Sequence, residues 1–261
     1  MRYSDLSYIV LTMNTQPKAF HDLPFLSIDT ETTGIDPYTD RIVTVSMVVT
    51  YPESTNRVPL SKEILINPGI DIAEAASAVH GITNEKAQAE GVDPVVGLTE
   101  IAEALTRWDA TGNPVVIFNS AFDATLLRSE FARHAIPYTG EFKRVIDPFV
   151  LDRYTDKWRK GKRTLETVAT LYGVTLDDAH NASADALAAA EVLRRMGIKY
   201  NDKLGNLTPE QMFTLQQNLK REQAISFQKY LAKTEPEAFI PTGWPFRTPE
   251  TDAADRELYS K

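Results

Sequence analysis

Phe25-Leu26-Ser27-Ile28-Asp29-Thr30-Glu31-Thr32-Thr33-Gly34 is the stretch that decides the fold. It opens as a short, mostly apolar run and ends in carboxylates. Asp29 and Glu31 stand two positions apart, so on a strand both point to the same side. Charges at a strand end are usually no more than solvated surface. Here a run that belongs inside a sheet delivers both acids to its C-terminal edge, and Thr32-Thr33-Gly34 turns the chain at once. Open α/β sheets build their sites at such edges.

Outward from that strand, Arg41 to Tyr51 sets Thr44 and Ser46 against Val43, Val45 and Met47, a strand pattern. Glu63 to Ile66 reads as a third strand, stopped by Asn67-Pro68-Gly69, and turns at Asp36-Pro37 and Pro52 separate the three into an antiparallel meander. The period then becomes helical. Asp93-Pro94 suits an N-cap and first helical residue, with Leu98, Ile101, Ala102, Leu105 and Trp108 on one face. Val115 to Phe118 is a fourth strand, leading through Asn119-Ser120 into a helix opened by Phe122, Leu126 and Leu127; Val145-Ile146-Asp147 is a fifth. Helices are expected at Leu165 to Tyr172, capped by Gly173, and from about Ser183 to Met196, capped by Gly197. Strands first antiparallel and then interleaved with helices predict an α/β domain with a mixed sheet flanked by helices.

The domain reading is an N-terminal arm (1–23), a central domain (24–198) and a C-terminal extension (199–261). The extension opens on a capping-box pattern, Thr208-Pro209-Glu210-Gln211. Met212, Leu215, Leu219, Phe227, Tyr230 and Leu231 then predict one long helix whose apolar stripe packs against the domain or a second copy. A Pro-rich tail, Pro236 to Pro249, follows.

The chain of 261 residues carries a formal charge of −8, which excludes a general cationic coat but not a local basic patch. It has no cysteine, which removes disulfides, thiolate nucleophiles and sulfur-built zinc or iron sites. Apolar stretches stay below a membrane span and no secretory signal is visible, so the expectation is a cytoplasmic protein without a membrane partner.

Two further acids open helices. Asp123 follows the fourth strand, with Ser120 as the expected cap, and Asp185 begins an alanine-rich helix; the helix dipole alone would account for either. The sharper reading is that Ala182, Ala184, Ala186, Ala188, Ala189 and Ala190 let that helix lie close on the sheet, bringing Asp185 to Asp29 and Glu31. His180 precedes Asp185 by five residues, and a near-neutral imidazole there can take a proton from water. Four carboxylates and one histidine suit hard divalent cations, Mg²⁺ or Mn²⁺. Two such ions could clamp a phosphodiester, one activating water and one stabilising the leaving oxygen.

Three segments, Phe25 to Gly34, Asn119 to Leu127 and His180 to Asp185, together resemble the three motifs of the DnaQ-like (DEDDh) 3′–5′ exonucleases, the family of the proofreading epsilon subunit of bacterial DNA polymerase III. The resemblance spans about Pro24 to Met196. It implies an RNase H-like fold with a five-stranded mixed sheet, metal binding by Asp29, Glu31, Asp123 and Asp185, and His180 as general base. His80-Gly81-Ile82-Thr83 resembles a further family signature near the 3′-terminal nucleotide. Thr32, His80, Asn119 and Phe122 are the substrate contacts it implies. The extension, with Glu222, Gln223, Ala224, Ser226 and the Trp244-Pro245-Phe246 segment, resembles tails of stand-alone epsilon-like exonucleases; it does not match the segment that docks the proofreading subunit on its polymerase.

Between Arg153 and Arg163 stand six basic residues and one acid, placed between two of the motifs, with Trp158 among them. A solvated loop is the usual fate of such a run. Its contrast with the global charge instead predicts backbone contacts from Arg159, Lys160, Lys162 and Arg163, with Trp158 stacking on a base. The expected function is a metal-dependent 3′–5′ exonuclease releasing nucleoside 5′-monophosphates from single-stranded DNA. The alternatives are an exoribonuclease of the same family and a non-catalytic nucleic-acid-binding module of a repair or replication assembly.

Overall fold

The computed structural model describes residues 19–176 and 181–260. In chain order its elements are β1 (Phe25–Thr32), β2 (Ile42–Thr50), β3 (Leu60–Leu65), α1 (Glu74–His80), α2 (Asn84–Glu90), α3 (Pro94–Asp109), β4 (Val115–Val116), α4 (Asp123–Arg133) and β5 (Val145–Ile146). Then come α5 (Pro148–Thr155), α6 (Leu165–Tyr172), α7 (Ala182–Lys199), α8 (Pro209–Leu231) and α9 (Pro249–Tyr259). The five strands form one mixed sheet in the order β3-β2-β1-β4-β5. β1 pairs antiparallel with β2 and β2 with β3, whereas β1–β4 and β4–β5 are parallel. This is the meander followed by crossovers that the sequence predicts.

The sheet divides the core. On one side Leu26, Ile28, Val45 and Met47 pack with Leu98, Leu105 and Trp108 of α3 and Leu126 and Leu127 of α4. On the other, Phe25, Val116 and Ile146 pack with Val168 of α6 and Ala189, Ala190 and Leu193 of α7. Because side chains alternate along β1, Asp29 and Glu31 leave the strand on the α7 side. Buried alanines at 182, 186, 189 and 190 allow α7 to pack directly on β1 and β2. The expected caps are present, Asp93 on α3 and the reciprocal Thr208–Gln211 pair on α8, and Thr164 caps the start of α6. Gly173 ends α6 in the left-handed region, φ 68°.

Several expectations are corrected. α7 continues through Gly197 rather than ending there. That glycine is fully inside, and a Cβ on it would lie 2.6 Å from Phe20 Cζ, so it provides packing space rather than a cap. Phe20 belongs to a short 3₁₀ turn (Phe20–Asp22) and is completely buried, so this end of the expected N-terminal arm packs with the domain. β3 begins at Leu60, earlier than expected, and Ile66 leaves it to bridge Val92. α1, α2, α5 and α9 are elements the apolar period does not announce. Among the described residues no helix is long and apolar enough to cross a membrane.

Candidate active site

Three carboxylates meet where β1 ends. One oxygen each from Asp29, Glu31 and Asp185 lie within 4.8 Å of one another, all three residues half-buried. Asp29 and Glu31 come from the pleat of β1, and Asp185 comes from the first turn of α7. Asn181 fixes that turn as N-cap, its side chain accepting from the Ser183 and Ala184 amides at 3.1 Å each. Asp123, the first residue of α4, is buried (6 % exposed) and accepts a 2.6 Å hydrogen bond from Thr30 Oγ1, which ties it to the same end of β1.

The electrostatics are those of acids held together against their charge. Burial, then the neighbouring Asp123, Asp185 and Glu31, push the Asp29 pKa well above the carboxylate range. Glu31 is pushed up to about 8 by burial and by Asp185, Asp123 and Glu63. Burial raises Asp123 to about 7, opposed by the Thr30 hydrogen bond. Oxygen-only donors without sulfur, mutually repelling and partly dehydrated, fit a hard divalent cation, whose charge would restore all of them to the ionised form.

The residues that flank these acids in the sequence make contacts of their own. Thr32 Oγ1 donates to Gly34 O (2.6 Å), and its carbonyl meets His80 Nε2 at 3.2 Å. The Ile82 amide donates to His80 Nδ1 at 3.1 Å, so the ring is neutral with its proton on Nε2, and burial lowers its pKa. Asn119 adopts the left-handed region (φ 60°) in the turn between β4 and α4, and half-buried Phe122 precedes Asp123. His180 lies outside the described residues.

Other expected contacts are redistributed. Arg159 Nη2 lies 2.5 Å from Asp152 Oδ2, and Arg163 binds the same oxygen; Asp152 is fully buried. These two arginines therefore hold the loop together, while Lys157, Lys160 and Lys162 are exposed and Trp158 is 84 % exposed. Ser120 does not cap α4. Its hydroxyl donates to Asp147 Oδ2 (3.1 Å), and α4 has no side-chain cap.

Sequence reasoning missed Asp147, noted there only as the end of a strand. Its carboxylate is buried (1 % exposed) and accepts from the amides of Asn119, Ser120 and Phe149, each at 2.9 Å, and from Trp244 Nε1 at 3.3 Å. Asp147-Pro148 carries the local signal of a helix N-cap, met by the Phe149 amide, but nothing local announces the Asn119 and Ser120 amides or a tryptophan 97 positions later.

Sheet order, helix placement and the acid cluster together define an RNase H-like α/β domain with a carboxylate site at the edge of its sheet. The exonuclease (RNase_T) family model matches residues 26–193, and the chain belongs to this DnaQ-like exonuclease family. A DNA polymerase III subunit epsilon-like protein from Rhodobacter capsulatus is 29% identical over 181 residues, 67% of this chain and 24% of the relative. A PolC-type DNA polymerase III from Lacticaseibacillus paracasei is 26% identical over 178 residues, 68% of this chain and 12% of the relative. This chain thus spans a quarter or less of either curated relative. Among solved structures, E. coli exonuclease I in complex with a dT13 oligonucleotide has the same fold, with a TM-score of 0.56 at 21% identity over 69% of this chain and 42% of that one.

Proposed function

We propose that this protein is a 3′–5′ exonuclease that shortens single-stranded DNA and releases nucleoside 5′-monophosphates. The observation that carries the reading is the meeting of the Asp29, Glu31 and Asp185 carboxylates within 4.8 Å, beside a buried Asp123. Asp29, Glu31 and Asp185 would hold one divalent cation, and Asp29 with Asp123 a second, Mg²⁺ or Mn²⁺ in each case. Such ions, when bound, make a potent nucleophile of water and stabilise charge on the leaving oxygen. His180, five positions before Asp185 in the sequence, is the proposed general base and takes the proton of the attacking water. Thr32, His80, Asn119 and Phe122 would seat the terminal nucleotide.

Lys160 and Lys162, with Lys157 beside them, are the loop cations free to face a phosphate backbone, and exposed Trp158 can stack on a base. The dT13 complex of exonuclease I supports DNA as the polymer. Digestion of 5′-labelled DNA and RNA oligonucleotides, with Mg²⁺, Mn²⁺ or chelator, tests the reading. A ladder shortening from the 3′ end of DNA, abolished by chelator, is expected. Shortening from the 5′ end, or no release with either metal, overturns it; preferential loss of RNA would shift the substrate to RNA.

A further inference from the structure

The extension does more than lie beside the domain. Gln216, from the middle of α8, is fully buried against the outer edge of β5. Its Oε1 accepts from the Asp147 amide at 2.7 Å, and its Nε2 donates to Val145 O at 3.3 Å and to Met212 O at 3.1 Å. One side-chain amide thus completes the edge strand as a neighbouring strand would, and it fixes the backbone of Asp147. From the tail, Trp244 donates its indole N–H to the Asp147 carboxylate, with its ring set against Phe213 of α8. Three residues on, the Arg247 amide donates to Thr125 Oγ1 (2.7 Å) in the first turn of α4.

Asp147 in turn holds the Asn119–Ser120 turn by both amides and the Ser120 hydroxyl. That turn needs holding, since Asn119 has a positive φ that a non-glycine residue enters at a cost. Ser120 O receives the Ala124 amide, so the position of the turn sets where α4 starts and where Asp123 stands.

We propose that the C-terminal extension is a positioning part of the active site. Gln216 and Trp244 fix Asp147, Asp147 fixes the 119–120 turn, and the turn places Asp123 toward Asp29. None of these residues is catalytic; each acts through Asp123. The inference rests on the reading of Asp123 as a metal ligand, and its geometric half can be tested without that reading.

Trp244→Phe keeps an aromatic side chain and removes the donor; Asp147→Asn keeps the shape and turns a donor toward donors. Tyr259→Phe, which removes a tail hydrogen bond to Ile240 O (2.9 Å), is the control for general loosening of the tail. For Trp244→Phe we expect kcat to fall about 10-fold and the half-saturating Mn²⁺ concentration to rise about as much, the usual scale for groups that orient metal ligands. KM for the oligonucleotide should stay within about 2-fold, and Asp147→Asn should cost more. Amide hydrogen exchange in the metal-free protein should quicken at 120–124 in both variants and not in Tyr259→Phe.

Should Asp147→Asn fail to fold, Trp244→Phe carries the test. Wild-type kcat, Mn²⁺ response and exchange in a folded Trp244→Phe overturn the inference. So does a loss that only tracks thermal stability and is matched by Tyr259→Phe. A wild-type protein that binds no Mn²⁺ and releases no nucleotide overturns the nuclease reading instead. The exchange result then decides this inference alone: quickening at 120–124 supports the brace, and no change refutes it.

Discussion

Replacing Glu31 with glutamine should stabilise the metal-free protein, and only where the carboxyl would otherwise ionise. Burial and the neighbouring acids raise Glu31 from 4.5 to about 8. An acid whose folded pKa is raised contributes its full share of stability below the unfolded value, and that share is lost as pH climbs through the folded one. The window is therefore about pH 4.5 to 8. Each pKa unit corresponds to about 1.4 kcal/mol, so the ceiling is nearly 5 kcal/mol. Glu31 is only half-buried, and solvent screening reduces this to about 2 kcal/mol. Glutamine does not titrate, so Glu31→Gln escapes that loss. In a chain of 261 residues this is a rise of roughly 4–8 °C in melting temperature. Thermal unfolding in chelator at pH 8.5 should show it, and the difference should shrink toward zero by pH 5. Saturating Mn²⁺ should reverse the order, because wild type gains about 2.7 kcal/mol at a hundredfold excess over Kd and the variant has lost a ligand. Equal stability in chelator at pH 8.5, or a gain that does not vary with pH, would refute the claim that these acids strain one another.

His180→Ala should lower the rate by roughly 10²–10⁴ while circular dichroism and melting temperature stay at wild type, the range for a general base; near-normal turnover removes that role. Changing Lys157, Lys160 and Lys162 together to glutamine should weaken single-stranded DNA binding and flatten its salt dependence by about 2 in log–log slope, at about 0.7 per phosphate contact. An unchanged slope in a fluorescence titration would take the loop off the substrate. Asp152→Ala should cost about 3 kcal/mol in urea unfolding, because it leaves Arg159 and Arg163 without their buried partner; a cost below about 1 kcal/mol would contradict a structural role for those arginines.

The sheet and its site were legible to different depths. β1, β2 and the helix caps follow from local rules: alternation, Asp-Pro at a helix start, glycine at a helix end. Asp29 and Glu31 could be paired from strand period alone, whereas their approach to Asp185 needed the alanine face of α7, a packing argument. The misses share a cause. Gly197 satisfies the local rule for a cap, yet the ring of Phe20, far away in sequence, needs the space its missing side chain leaves. Arg159 and Arg163 count as local positive charge, but Asp152, seven and eleven residues earlier, takes both. α1 and α2 expose most of their short length, so they carry little apolar period. Asp147 shows locally only as an Asp-Pro cap for α5; the Asn119, Ser120 and Trp244 groups that define its further role are brought in by tertiary structure.

The central claim is that side chains from β1, α4 and α7 form one pocket for two cations. Crystals grown with Mn²⁺ and a nucleoside 5′-monophosphate, measured for anomalous scattering at the manganese edge, test it most directly. Two peaks should appear that share Asp29, one against Glu31 and Asp185 and the other against Asp123. Manganese elsewhere on the surface, with none between these carboxylates, would contradict it.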